Sequence, residues 1–266
     1  MKRVDWDRRI RRAIDLGERD SSISEVLTFY KDILRVEQQI YSELGAHSKA
    51  ADTRSGSALR EQIEVDLALQ WLPIVLELAR RKGPAKLAQE AQRLSSAARG
   101  DQRQILSDFL HCGQAAAEDA GCFFARFVLQ PYAEFLAAQS AVTGKFFPST
   151  CPICGGKPQL AILRPEGDGG KRHLACSFCL TEWEFRRVLC PVCGEVEHTK
   201  LPRYSPDDPI AVRVEACDTC KFYLKSFDMT VDGLMVPEVD EVATIALDLW
   251  AAEHGYRKIY PNLMGF

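Results

Sequence analysis

Four Cys-x-x-Cys pairs in the second half of the chain limit the folds open to it more than any other feature. Intervals of 21, 10 and 23 residues separate successive pairs. Each long interval has room for a hairpin, which can bring two pairs together around one tetrahedral ion. The spacing therefore predicts two metal sites with four cysteine ligands in each. Site one would contain Cys151, Cys154, Cys176 and Cys179, and site two would contain Cys190, Cys193, Cys217 and Cys220.

The cysteine pairs form an internal repeat. The sequence Cys-Pro-x-Cys-Gly opens both units, at residues 151–155 and 190–194, with a period of 39 residues. Proline stiffens the turn by fixing φ, and glycine after the second cysteine accepts a positive φ. Backbone amides can then turn towards the thiolate sulfurs and stabilise their charge. The second pair of each unit, Cys-Ser-Phe-Cys and Cys-Asp-Thr-Cys, lacks these flanking residues.

Four thiolates complete a tetrahedral ion and leave no position open for water or substrate. Such closed sites are structural or transfer electrons, and they do not hydrolyse substrates. No arrangement of nucleophile, base and acid stands out elsewhere in the sequence, so we predict that the chain is not an enzyme. Zinc and iron both accept four thiolates, so the spacing leaves the identity of the two ions open.

Composition indicates a globular protein, and we expect it in the cytoplasm. The net charge of -3 gives no general attraction to nucleic acid. No window approaches 18 consecutive apolar residues, and no apolar stretch follows the basic N-terminus, so we expect neither a membrane span nor a secretory signal. Cytoplasmic thiols are kept reduced, which favours metal ligands over disulfides. The cysteines outside the pairs, Cys112 and Cys122, are expected to pack as small hydrophobic residues.

The hydrophobic period of the chain changes near Gly144. Before this point apolar residues recur at helical spacing, with interruptions expected at Pro73, Gly113 and Pro131. After it, short runs alternate as strands do, and residues 239–254 predict a last helix. The apolar face of that helix would comprise Val242, Ile245, Leu249 and Trp250. We therefore predict an α+β fold, with an α-helical domain at 1–147, a first metal module at 148–188, a second at 189–232, and a C-terminal helix and tail at 233–266.

The residues around the cysteines resemble the formate dehydrogenase accessory protein (FdhE) family. The likeness is close over residues 148–266 and fainter in the helical half. It depends on the order and spacing of the four pairs, on Thr181-Glu182-Trp183 after the second pair, and on the last helix with Gly255-Tyr256 behind it. The runs that carry it are 151–155, 173–183, 187–194, 215–225 and 240–249.

Resemblance to this family implies two tandem rubredoxin-like (zinc-ribbon) modules after an α-helical domain, with iron as their ion. The eight paired cysteines carry over one by one as ligands. The resemblance also implies a cytoplasmic accessory factor for respiratory formate dehydrogenase. Such a factor would bind the molybdenum- or tungsten-containing catalytic subunit before its twin-arginine export.

Two alternative functions stay open on the sequence. Zinc ribbons often bind nucleic acid, although such proteins usually carry a basic face and this chain is slightly acidic. A rubredoxin-like electron carrier is the other alternative, and it requires iron rather than zinc in the two sites.

Overall fold

The computed structural model describes residues 4–47, 59–112, 120–140, 148–167, 169–205 and 211–266. It has the predicted α+β class, with helices first, a sheet next and short helices at the end. The chain divides into two compact units. One comprises Met1–Ala141 with Leu263–Gly265, and the other comprises Val142–Asn262 with Phe266. Gly144 and the predicted boundary after residue 147 lie outside the described residues.

The first unit is helical. Its elements are α1 (Trp6–Arg19), α2 (Ser24–His47), α3 (Val65–Ala68), α4 (Leu72–Lys82), α5 (Ala85–Ser95), α6 (Arg99–Cys112) and α7 (Ala120–Ala137), with 3-10 turns at Leu59–Gln62 and Leu69–Trp71. Helix α2 packs against α1, α4 and α7. In the part of the chain that the structure describes, no helix is both long and apolar enough to cross a membrane.

Two prolines of this unit behave differently. Pro73 lies in the first turn of α4, where a missing amide donor costs little, so the predicted restart there is confirmed. Pro131 lies inside α7, which continues through it, so the predicted interruption is wrong. Every residue from 124 to 134 is buried, and this tertiary packing outweighs the lost helical hydrogen bond. Gly113 lies outside the described residues.

A buried group of charges lies between α1, α2 and α7. The Arg9 guanidinium donates a hydrogen bond of 2.8 Å to the Glu134 carboxylate, and both side chains are buried. Glu37 on α2 is 1% exposed, and its Oε1 atom accepts no hydrogen bond from the described residues. Burial, followed by repulsion from Glu134, raises the pKa of Glu37 to about 8.

The second unit is built on one seven-stranded sheet. Its strands are β1 (Pro158–Glu166), β2 (Gly169–Cys176), β3 (Glu182–Glu184), β4 (Arg203–Tyr204), β5 (Val212–Ala216), β6 (Phe222–Asp228) and β7 (Arg257–Lys258). The order is β3-β2-β1-β6-β5-β4, and β7 pairs with β6. Strands β1, β2 and β3 follow the first cysteine pair, and β4, β5 and β6 follow the third. The two repeats therefore lie head to tail in one sheet.

Strands β1 and β6 join the two repeats. They pair in parallel over four positions, from Leu160 opposite Lys225 to Leu163 opposite Asp228. Within each repeat the neighbouring strands pair in antiparallel fashion. Alternation of apolar residues indicated some of the strands, but it did not indicate this junction, which turns two cysteine modules into one layer.

The predicted single C-terminal helix is wrong. Helices α8 (Pro237–Ala243) and α9 (Ile245–Glu253) are separated at Thr244, whose φ and ψ are -104° and 38°. The ammonium of Lys225 donates hydrogen bonds to the carbonyl oxygens of Glu241, at 2.6 Å, and Thr244, at 3.2 Å. Lys225 therefore satisfies helix carbonyls that an unbroken helix would satisfy itself. The break also alters the predicted apolar face, and Leu249 is 57% exposed.

Lys225 belongs to a buried ionic network beneath the sheet. Its side chain is 0% exposed, and its ammonium lies 2.6 Å from Asp248 Oδ2. Lys258 bonds the other oxygen of Asp248 at 2.8 Å and also bonds Glu241. Burial opposes ionisation of Glu241, but the two lysines outweigh it and hold its pKa below the usual range. The network ties α8, α9 and β7 to the strand that joins the repeats.

Candidate metal centres

Each Cys-x-x-Cys pair forms a tight turn closed by backbone hydrogen bonds. In the first pair the amide of Gly155 donates to the carbonyl oxygen of Cys151 at 2.9 Å. In the third pair, Gly194 donates to Cys190 at 3.1 Å. The amide two residues after the first cysteine donates to its sulfur at 3.4 Å in both turns. The equivalent bond in the second pair, from the amide of Phe178, is 3.3 Å. These amides bring positive partial charge to the sulfurs, as predicted for the glycine-flanked turns.

The residue after each pair has a left-handed backbone. The φ values are +72° at Gly155, +50° at Leu180, +78° at Gly194 and +60° at Lys221. Glycine adopts this conformation without steric cost, whereas leucine and lysine adopt it at a cost. All four pairs therefore share one turn geometry, although only two of them have the glycine. No local feature of the sequence marks Leu180 or Lys221 for this conformation.

The four turns bring the eight sulfurs together as two quartets. Within each quartet the Sγ atoms all lie within 4.8 Å of one another, and their members are the two groups that the spacing predicts. In the first quartet, the Cys151 and Cys179 sulfurs are 3.6 Å apart and those of Cys154 and Cys176 are 3.3 Å apart. In the second quartet, Cys190–Cys220 and Cys193–Cys217 are separated by 3.7 and 3.6 Å.

These separations match an ion-binding geometry. A disulfide would place two sulfurs about 2.0 Å apart. Four sulfurs held at about 2.3 Å from a central ion would lie about 3.8 Å from one another. The quartets are close to the second value, and none of their cysteines is in a disulfide. Each quartet could therefore hold one metal ion.

Two family models match the part of the chain that contains the quartets. The model of the FdhE central domain matches residues 150–187, and the model of the FdhE C-terminal domain matches residues 188–264. A relative named "Protein FdhE homolog" in Aquifex aeolicus is 29% identical over 262 residues, which cover 94% of this chain and 92% of that protein. The chain is thus similar to FdhE proteins through both cysteine modules and, in this relative, over nearly its whole length. This confirms the resemblance inferred from the cysteine turns.

Two further FdhE proteins show the same similarity. A "Protein FdhE homolog" in Pseudomonas aeruginosa is 35% identical over 119 residues, which cover 43% of this chain and 38% of that protein. The crystal structure of the FdhE protein from Pseudomonas aeruginosa superimposes with a TM-score of 0.75 at 25% identity, over 97% of this chain and 95% of that chain. The similarity in structure thus extends through the helical unit as well as the sheet.

The electrostatics of the first quartet favour a bound cation. Hydrogen bonds, the largest from Cys151, lower the pKa of the Cys154 thiol. Burial raises the pKa of the Cys176 thiol well above its usual value. Four thiolates in this space would repel one another, so without a cation only some of them can ionise together. A divalent ion supplies the missing positive charge, and the donor set suits zinc or iron.

The two quartets differ in burial. All four cysteines of the first quartet are buried, whereas Cys193 in the second is exposed and Cys220 is half-buried. Two further side chains, Thr181 and Glu195, lie beside the cysteine turns, although the sequence did not predict these contacts. The Thr181 hydroxyl lies 3.1 Å from the Cys179 sulfur, and the Glu195 carboxylate accepts a hydrogen bond of 2.6 Å from the Thr219 hydroxyl, inside the fourth turn. Cys122 lies on α7 in the helical unit and belongs to neither quartet.

Proposed function

We propose that each quartet binds one metal ion through its four thiolates. The ligands are Cys151, Cys154, Cys176 and Cys179 in site one, and Cys190, Cys193, Cys217 and Cys220 in site two. Sulfur separations of 3.3–3.7 Å support this assignment. Iron is the ion expected from the family resemblance, and zinc suits the same ligands. A closed set of four thiolates supplies structural stability or electron transfer, and it leaves no position for a substrate.

The protein as a whole acts, in this proposal, as an accessory factor in the maturation of respiratory formate dehydrogenase. It binds the catalytic subunit in the cytoplasm before export and catalyses no reaction itself. The observation that carries the proposal is the similarity to FdhE proteins, because the match runs through both cysteine modules and, in the Aquifex relative, through nearly the whole chain.

Gene deletion and complementation test this role. We expect the deletion strain to lose formate dehydrogenase activity and to regain it with the wild-type gene. Cys176→Ser, which removes a fully buried ligand of site one, should fail to restore activity. Cys122→Ser is the matched control, since it changes a thiol outside both quartets. Unchanged activity in the deletion strain would refute the proposed role.

Co-purification tests the partner. An affinity-tagged copy of the full chain should retain the formate dehydrogenase catalytic subunit from cells in which export is blocked. A tagged chain that captures metal but never this subunit would refute the partner and leave the metal sites intact. Metal analysis with an absorption spectrum of the anaerobically purified protein identifies the ion. Iron gives a coloured, reducible thiolate complex, and zinc gives a colourless one.

A further inference from the structure

We propose that site two is an exchangeable metal site that opens at Cys193, whereas site one is a structural site that exchanges its ion much more slowly. This division of labour rests on the proposed binding of one ion to each quartet. It assigns the two repeats different functions despite their common backbone turn.

The first observation is the shielding of the sulfurs. Exposure in site one does not exceed 5% at any cysteine. In site two, Cys190 and Cys217 are 5% and 2% exposed, but Cys193 is exposed and Cys220 is half-buried. An incoming ligand must reach a thiolate in order to replace it, so accessibility controls which site reacts first. Cys193 is the most exposed residue among the eight ligands, so the proposal places the first substitution there.

The second observation is the residue that follows the first turn of each repeat. At Gly156 a Cβ atom would lie 2.9 Å from the Cys176 sulfur and 3.3 Å from that of Cys154, so the backbone packs directly on site one. The repeat places Glu195 at this position in site two. Its side chain instead accepts hydrogen bonds from the Thr219 hydroxyl and two nearby backbone amides. Site two therefore has no glycine at the position where Gly156 packs its backbone against the sulfurs of site one.

The third observation is the packing around each turn. Phe178, between the two cysteines of the second turn, is 2% exposed, and Thr219 takes its place in the fourth turn. Around Cys193, Val192 is 44% and Val196 is 58% exposed. Every residue from 192 to 200 is exposed except the half-buried Glu195. A segment with so little buried surface opens at a low free energy.

Exchange at site two is a ligand substitution. The incoming donor is a thiolate or a chelator, and it forms one bond to the metal as the bond to Cys193 breaks. The released Cys193 thiolate takes a proton from water, and the oxidation state of the metal does not change. Repetition at the remaining three sulfurs transfers the ion. Site one keeps its ion and holds the first repeat folded during this exchange.

Release kinetics of the full-length chain test the proposal. The chain is loaded anaerobically with two equivalents of Co²⁺, and an excess of EDTA is added while the thiolate-to-cobalt absorption is recorded. We expect two phases of equal amplitude, with the fast phase at least about tenfold faster than the slow one. N-ethylmaleimide added after the fast phase, followed by mass spectrometry, should label the four cysteines of site two and spare those of site one.

Variants identify the opening residue. Cys193→Ser should change only the fast phase, and the control Cys122→Ser should change neither. A single phase for both ions, or labelling of site one first, would overturn the division and leave metal binding intact. A chain that takes up no Co²⁺ would overturn both proposals.

Discussion

Replacing Glu37 with glutamine is expected to stabilise the helical unit, increasingly so as the pH rises. Burial, followed by repulsion from Glu134, raises the pKa of Glu37 from 4.5 to about 8. The folded protein therefore holds a proton on this carboxyl at neutral pH, whereas the unfolded chain has released it. Between the two pKa values the unfolded state binds fewer protons than the folded state. Stability consequently falls as the pH rises through this window.

The magnitude follows from the two pKa values. Each pH unit between them corresponds to about 1.4 kcal/mol. The loss in free energy of unfolding caused by Glu37 thus grows from near zero below the unfolded pKa of 4.5 to on the order of 4 kcal/mol at about pH 8. Glutamine resembles the protonated carboxyl and never ionises, so it avoids this penalty. The advantage of Glu37→Gln over the wild type should grow by about 3 kcal/mol between about pH 5.5 and about pH 8.

Urea unfolding at a series of pH values, followed by far-ultraviolet circular dichroism, measures this advantage. Glu18→Gln, at an exposed position on α1, is the matched control and should show no comparable pH dependence. Titration of the cysteines contributes equally to all three proteins and cancels in the differences. An advantage of Glu37→Gln that stays constant with pH would refute the reasoning, because it would mean that Arg9 and Arg126 keep the buried carboxylate ionised.

Further predictions concern backbone strain, the buried network and the metals. Gly194→Ala should lower the free energy of unfolding by about 1–2 kcal/mol, because the φ of this residue is +78°. Gly100→Ala, in open space on α6, should raise the free energy of unfolding by about 0.5 kcal/mol. Thermal unfolding compares the two variants. Lys225→Met removes a fully buried ammonium from Asp248 and should cost about 3–5 kcal/mol in urea unfolding, and adding Asp248→Asn should recover part of the loss. Removal of metal by a chelator should unfold the cysteine modules and shift the fluorescence of the buried Trp183. Most of the helical circular dichroism should remain. An unchanged fluorescence spectrum would contradict a structural role for the ions.

Much of the candidate site could be predicted because its determinants are local in sequence. A Cys-x-x-Cys turn needs only four residues, and an interval of hairpin length decides which pairs meet. The grouping of the eight sulfurs into two quartets could be worked out from spacing for this reason. Pro73 was equally informative, since a proline in a first helical turn obeys a local rule. At Pro131 the same residue type misled, because burial of α7 on all sides outweighs the local preference.

The sequence by itself determined the α+β class, the resemblance to FdhE proteins and the membership of the two quartets. Only the tertiary structure decided how the repeats join, where the last helix breaks and which quartet is open to solvent. Pairing of β1 with β6 depends on which sheet edges meet, and no interval along the chain specifies it. At the break near Thr244, helix carbonyls accept hydrogen bonds from Lys225, a residue of β6 that lies well before the helices in the chain. Exposure of Cys193 likewise depends on what packs over a turn, and packing belongs to the assembled fold rather than to the spacing of its residues.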